Sequence, residues 1–179
     1  DNPARHLRVR GTGGARAPLF TDQDEEKLLN ELSQMSNKNH LRLTKLALVT
    51  GFRRSELLSL NWSNIDLHKE KIYIRRKECA ARGSSSSMKM VPLSHKAKDL
   101  LRSLENKKGK VINLTEGSAR NGFDKAKNKA DLHNLRFHDL RHIAISRMWS
   151  YGMNALEISA CSGHRDLKML MRYSHYELS

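Results

Sequence analysis

The sequence predicts a mainly α-helical domain that carries one small antiparallel β-sheet, an α+β fold. Three observations lead there. Apolar residues recur at helical spacing in several capped segments, one central stretch alternates apolar and polar positions around a charged turn, and 179 residues are enough for one hydrophobic core rather than two.

Taken in order, the opening DNPARHLRVRGTGGARAPLF is Gly-rich, Pro-punctuated and basic without an apolar period, so residues 1–20 read as a flexible linker that follows another domain. Residues 21–179 form the domain itself. Thr21 and Asp24 make a capping box ahead of EEKLLNEL, whose Leu28, Leu29 and Leu32 share one helical face. HLRLTKLALVTG gives a second helix ending near Gly51, and SELLSL after Arg53 a third. IDLHKEKIYIRRK, residues 65–77, alternates as a strand pair does, and MKMVPL at 88–93 adds another short strand, with the long serine-rich turn ECAARGSSSS between them. SHKAKDLLRSL is a capped helix. A brief VINL stretch, an amphipathic basic segment around NGFDKAKNKA and three helices from Phe137 onward complete the chain. Leu57, Leu58, Leu60, Trp62, Met148, Trp149 and Met153 are assigned to the core.

Lys and Arg number 33 against 19 Asp and Glu, a net charge of +14, which points to a polyanionic partner, nucleic acid before any other. Cys79 and Cys161 form no CxxC pair and no disulfide framework, as expected of a reducing compartment. No apolar run approaches the roughly 20 residues that span a bilayer, and no signal peptide is evident. A cytoplasmic protein with no membrane partner is therefore expected, nucleoid-associated if bacterial.

Near the end, HDLRH places His138, Arg141 and His142 at three- and four-residue spacing, so their side chains can share a helix face. Arginine suits a phosphate because its planar fork donates two parallel hydrogen bonds and keeps its charge at any working pH. Alone, HxxR is a weak signal, since a solvated helix end with a packed histidine gives the same pattern. Upstream, TGFRRSEL ends one helix at Gly51 and opens the next at Arg53, where backbone amides favour an anion. Arg54 is the alternative inward arginine, and Glu56 reads as a buttress of the turn. His164 and Tyr173 follow, nine residues apart. Two arginines, two histidines and a phenol are the groups needed to neutralise, protonate and attack a phosphodiester, and that chemistry needs no cofactor.

TGFRRSEL, the Lys-bearing hairpin ending in VPL, HDLRH, SGH and RYSHY, in this order and at these separations, closely resemble the tyrosine recombinase family of phage integrases and related DNA invertases. The likeness covers residues 21–179. It implies that family's catalytic-domain fold and a catalytic set of Arg53, Lys77, His138, Arg141, His164 and Tyr173. On this resemblance Tyr173 would attack the scissile phosphate to leave a 3′-phosphotyrosyl link, Arg53 and Arg141 would clamp the non-bridging oxygens, His138 would accept the phenolic proton, His164 would hydrogen-bond the phosphate, and Lys77 would protonate the leaving 5′-oxygen. Lys89 is the alternative to Lys77, because ARGSSSSM lengthens a turn that is usually short. Tyr176, three residues beyond Tyr173, is the rival nucleophile; Tyr73 and Tyr151 are assigned to a strand and a helix end. Arg54, Arg75, Arg76, Arg82 and Lys89 are further candidates for DNA contact. The resemblance implies double-stranded DNA as partner, a homo-tetramer on DNA with a monomer when isolated, room for accessory directionality or DNA-bending proteins, and an N-terminal DNA-binding domain ahead of the linker.

Three other functions fit parts of the pattern. A type IB topoisomerase shares the phosphotyrosine chemistry, and a DNA-binding factor could keep the fold without the activity. HDLRH also resembles the zinc-protease HExxH, with His164 as a third ligand, but Asp is shorter than Glu and Arg141 would set a cation beside the metal.

Overall fold

Thr21 starts the first helix because its side chain and that of Asp24 satisfy each other's backbone amides. Asp24 N–H donates to Thr21 Oγ1 at 3.2 Å and Thr21 N–H to Asp24 Oδ2 at 2.9 Å. In this computed structural model the described residues are 20–77, 86–105, 107–163 and 170, with the backbone alone described at 76, 77 and 86. The linker (1–19), residues 78–85 of the serine-rich turn and all but Leu170 of the last expected C-terminal helix lie outside them, while Ser86 and Ser87, expected in the turn, pair with the preceding strand and belong to the sheet.

Helix α1, Asp22–Ser33, buries Leu28 and Leu32, one turn apart. Helix α2, Asn39–Thr50, is enclosed on most of its circumference, burying Leu43, Leu46, Ala47 and Leu48 among others, because it packs against α1 and four later helices. It stops at Gly51, whose left-handed backbone (φ 66°) lets its N–H reach back to the Ala47 carbonyl at 2.9 Å. Helix α3 is short, Arg54–Leu58, and a 3-10 turn at Trp62–Asn64 leads into the sheet.

The sheet has three antiparallel strands in the order β1 (Ile65–Asp66), β2 (Lys71–Lys77), β3 (Ser86–Pro92). Asp66 Oδ1 accepts from the amides of His68 and Lys69, which shapes the β1–β2 turn and lowers the Asp66 pKa, the Lys69 bond contributing most. In the β2–β3 ladder Ile72 pairs with Val91 and Tyr73 with Met90. The period of two puts Ile72, Ile74 and Val91 into the core and leaves Tyr73, Met88 and Met90 exposed.

Helix α4, His95–Arg102, is capped by Ser94, whose Oγ accepts from Ala97 N–H at 3.2 Å, and it buries Ala97 and Leu101. VINL forms no strand. It is held by a bridge from the preceding Lys110 to Asn61, by Val111 N–H donating to the Leu60 carbonyl at 3.0 Å and by Asn113 N–H donating to Asn39 Oδ1 at 3.3 Å, and it buries Val111, Ile112 and Leu114. Helices α5 (Glu116–Lys129), α6 (Asp139–Ser150) and α7 (Ala155–Ser162) complete the described fold. The main core joins α1 to α6 and the inner face of the sheet; a smaller cluster of Ile145, Met148, Ile158 and Leu170 joins α6 to α7. No helix among the described residues is long and apolar enough to cross a membrane.

Candidate active site

Helix α6 carries the most constrained charge in the site. Arg141 is 3% exposed, and a guanidinium that cannot lose its proton is stable there only with hydrogen-bond partners. Its Nη1 donates to the Gly51 carbonyl at 2.5 Å and to the Ser162 carbonyl at 2.9 Å. The glycine that terminates α2 thus also seats the arginine, and the last turn of α7 closes on it from the other side. The head of α6 is organised by Asp139, which accepts the Arg136 amide at 2.8 Å.

Arg53 immediately precedes α3. Its N–H donates to Glu56 Oε2 at 2.8 Å and its guanidinium to Glu56 Oε1 at 3.1 Å, while Glu56 itself is 5% exposed. The anion at the head of α3 is therefore this carboxylate, which holds Arg53 at one nitrogen and leaves its side chain half exposed. Arg54 is held by other partners. Its guanidinium pairs with Glu116 at the start of α5 and lies 5.8 Å over the Phe137 ring, tying α3 to α5 and to the approach to α6.

Arg53, Arg54, His138 and Arg141, dispersed in sequence, come together around a pocket of about 350 Å3. Arg120, Lys127 and Arg136, which the sequence did not single out, line it as well, with Asp124 the acidic member. Arg120, Asp124 and Lys127 recur along α5 at i, i+4 and i+7, so the stripe itself was visible; what was not visible is that it turns toward Arg53. Such a concentration of guanidinium groups suits an oxyanion.

His138 caps α6 at the rim of this pocket, and its ring lies 5.1 Å from that of His142 with the planes at 85°. Partial burial lowers its pKa, as do the cations Arg141, Arg53 and Arg136, with Asp139 opposing them. His142 is lowered too, by burial first and then by His138. A neutral imidazole is the form that can accept a proton.

The remaining candidates are placed as follows. Lys77 ends β2, its backbone in register with Ser86, and Arg76 pairs with Ser87. Lys89 pairs with Ile74 and Arg75 with Met88, both side chains being exposed. Arg82, His164, Tyr173 and Tyr176 lie outside the described residues. Tyr73 is on the exposed sheet face, and the Tyr151 hydroxyl meets Lys96 Nζ at 2.8 Å, in a different pocket.

Frame and pocket together define a mainly helical domain with a cationic pocket where α3, α5 and the head of α6 meet. The chain belongs to the phage integrase family, whose sequence profile matches residues 19–178. It is 32% identical over 176 residues to a shufflon-specific DNA recombinase of Escherichia coli, covering 97% of this chain and 44% of that protein. It is 28% identical over 177 residues to the integrase of Escherichia phage 186, covering 98% of this chain and 49% of the relative. The chain thus spans under half the length of these two curated relatives. Among solved structures, the catalytic domain of bacteriophage HP1 integrase superimposes with a TM-score of 0.67 at 27% identity, covering 86% of this chain and 84% of that one.

Proposed function

We propose that this chain is the catalytic domain of a site-specific DNA recombinase, cutting and rejoining DNA strands through a 3′-phosphotyrosyl intermediate. The observation that carries the proposal is the convergence of Arg53, His138 and Arg141 on one cationic pocket. In this mechanism the two arginines bind the non-bridging oxygens of the scissile phosphate, and their charge is most valuable as the pentacovalent transition state gains charge. Tyr173 attacks phosphorus, the bond to the 5′-oxygen breaks, and Lys77 supplies that oxygen with a proton. His138, held neutral, takes the proton from the phenol, whose ordinary pKa is about 10. His164 hydrogen-bonds the phosphate. The phosphodiester energy is kept in the tyrosyl ester, so rejoining needs no cofactor.

Relatives and structural neighbours described as integrases and recombinases, several of them solved in complex with DNA, support double-stranded DNA as the partner. That residues 1–20 link the chain to an N-terminal DNA-binding domain is part of the same proposal. Assembly as a homo-tetramer on DNA from monomers, with accessory directionality or bending proteins, belongs to the same proposal.

The test is a denaturing gel for a covalent protein–DNA adduct on nicked suicide duplexes, with chelator present throughout. The adduct is expected to survive chelator, to vanish with Tyr173→Phe, to persist with Tyr176→Phe and to weaken with Lys77→Ala. An adduct that Tyr173→Phe leaves intact would overturn the assignment of the nucleophile, and DNA binding with no adduct from any variant would favour a binding factor.

A further inference from the structure

We infer that His142 is a positioning residue for His138: its imidazole, set edge-to-face against the His138 ring, fixes the orientation of the proton acceptor at the pocket rim. The inference rests on the catalytic role proposed for His138.

Three observations lead to it. His138 is the cap residue of α6 but makes no side-chain capping bond, so the cap does not hold its ring. The neighbouring Phe137 is engaged elsewhere, by the Phe123 ring at 5.1 Å and by Arg54. One turn along α6, His142 meets the His138 ring at 5.1 Å and 85°, and a perpendicular contact of this kind prefers a direction as well as a distance. His138 lines the arginine pocket, whereas His142 is the more enclosed of the two rings. The division of labour follows: one ring faces the reaction and the other holds it.

Orientation matters here because a proton moves efficiently only to a nitrogen within hydrogen-bond reach, and a misplacement of about 1 Å can cost about a hundredfold in rate. The pair is also kept neutral. Burial lowers both rings, Arg141 and Arg136 disfavour a proton on either, Arg53 adds to this at His138, and Asp139 opposes it. Helices α2 and α7, packed on α6, carry His40, Arg42 and Lys45 and Glu157 and Cys161 respectively; these stay constant in every variant below.

The experiment compares wild type, His142→Phe and His142→Ala by two measurements. Ring NMR titration of His138 is expected to show a pKa that stays low with phenylalanine, which keeps the ring contact, and rises toward 6.5 with alanine, which removes it. Single-turnover adduct formation at saturating DNA is expected to fall roughly tenfold to a hundredfold with alanine and to recover most of that with phenylalanine. In a His138→Ala background, His142→Ala should cost nothing further, since a positioning residue has nothing left to position. Phenylalanine as damaging as alanine, additive losses in the double variant, or an unchanged His138 titration in His142→Ala would each overturn the inference. If wild type forms no Tyr173-dependent adduct, the catalytic reading fails on its own, and the titration still decides whether His142 holds His138.

Discussion

Arg141 shows why two residues of like charge are not interchangeable in this site. Its guanidinium accommodates two carbonyls at one nitrogen while remaining a planar fork, whereas lysine offers a single nitrogen on a flexible stem. Arg141→Lys is therefore expected to lower the adduct-forming rate by roughly 10²–10³-fold, the cost typical of losing an oriented donor to a transition-state oxyanion. Single-turnover kinetics at saturating DNA measures this, and a loss within about threefold would mean that charge without the fork suffices. Glu56 makes the complementary point. Buried, and accepting from both the amide and the guanidinium of Arg53, it positions an arginine. The sequence could suggest that role because the residues are three apart; it could not show that Arg54, one position along, would be taken by Glu116 from another helix.

Among the elements, what could be read in advance was what local chemistry decides. The Thr21–Asp24 box, the Ser94 cap and the Gly51 stop involve neighbours within a few residues, and each stands where the sequence placed it. The outcomes that depend on distant partners were not readable. VINL was expected only as a brief stretch, and its place reflects docking of Lys110 and Val111 against Leu60 and Asn61 and of Asn113 against Asn39. The expected helix start near Phe137 falls at Asp139, with His138 as its cap, because Asp139 captures the Arg136 amide. Gly122 belongs to the same class: a glycine inside a helix ordinarily weakens it, but an added Cβ at this one would overlap the His40 ring of α2. Alanine should gain about 0.8–1.0 kcal/mol from helix propensity and lose about 1–3 kcal/mol to overpacking. Gly122→Ala is thus expected to be destabilising by about 1 kcal/mol in urea unfolding, and to become neutral or stabilising when combined with His40→Ala. An uphill result that persists in the double variant would place the strain somewhere other than the α2–α5 contact.

At the scale of the whole molecule, a net charge of +14 is organised in part around the pocket, where α5 adds Arg120 and Lys127 to the arginines of α3 and α6. Affinity for DNA should fall linearly with the logarithm of salt, each neutralised phosphate contributing about 0.9 to the slope. Arg120→Ala and Lys127→Ala should each reduce that slope by about one unit in salt-titrated fluorescence anisotropy, with little change in sequence preference. A slope that neither substitution alters would confine the phosphate contacts to Arg53 and Arg141. The two carbonyls that seat Arg141 come from residues 90 positions before it and 21 after it. A chain still emerging from the ribosome, or one in which α2 has yet to dock, contains the arginine without its seat. The seat of this arginine is thus completed only when α2 and α7 have both docked on α6, so the cationic pocket arises with the tertiary fold and not before it.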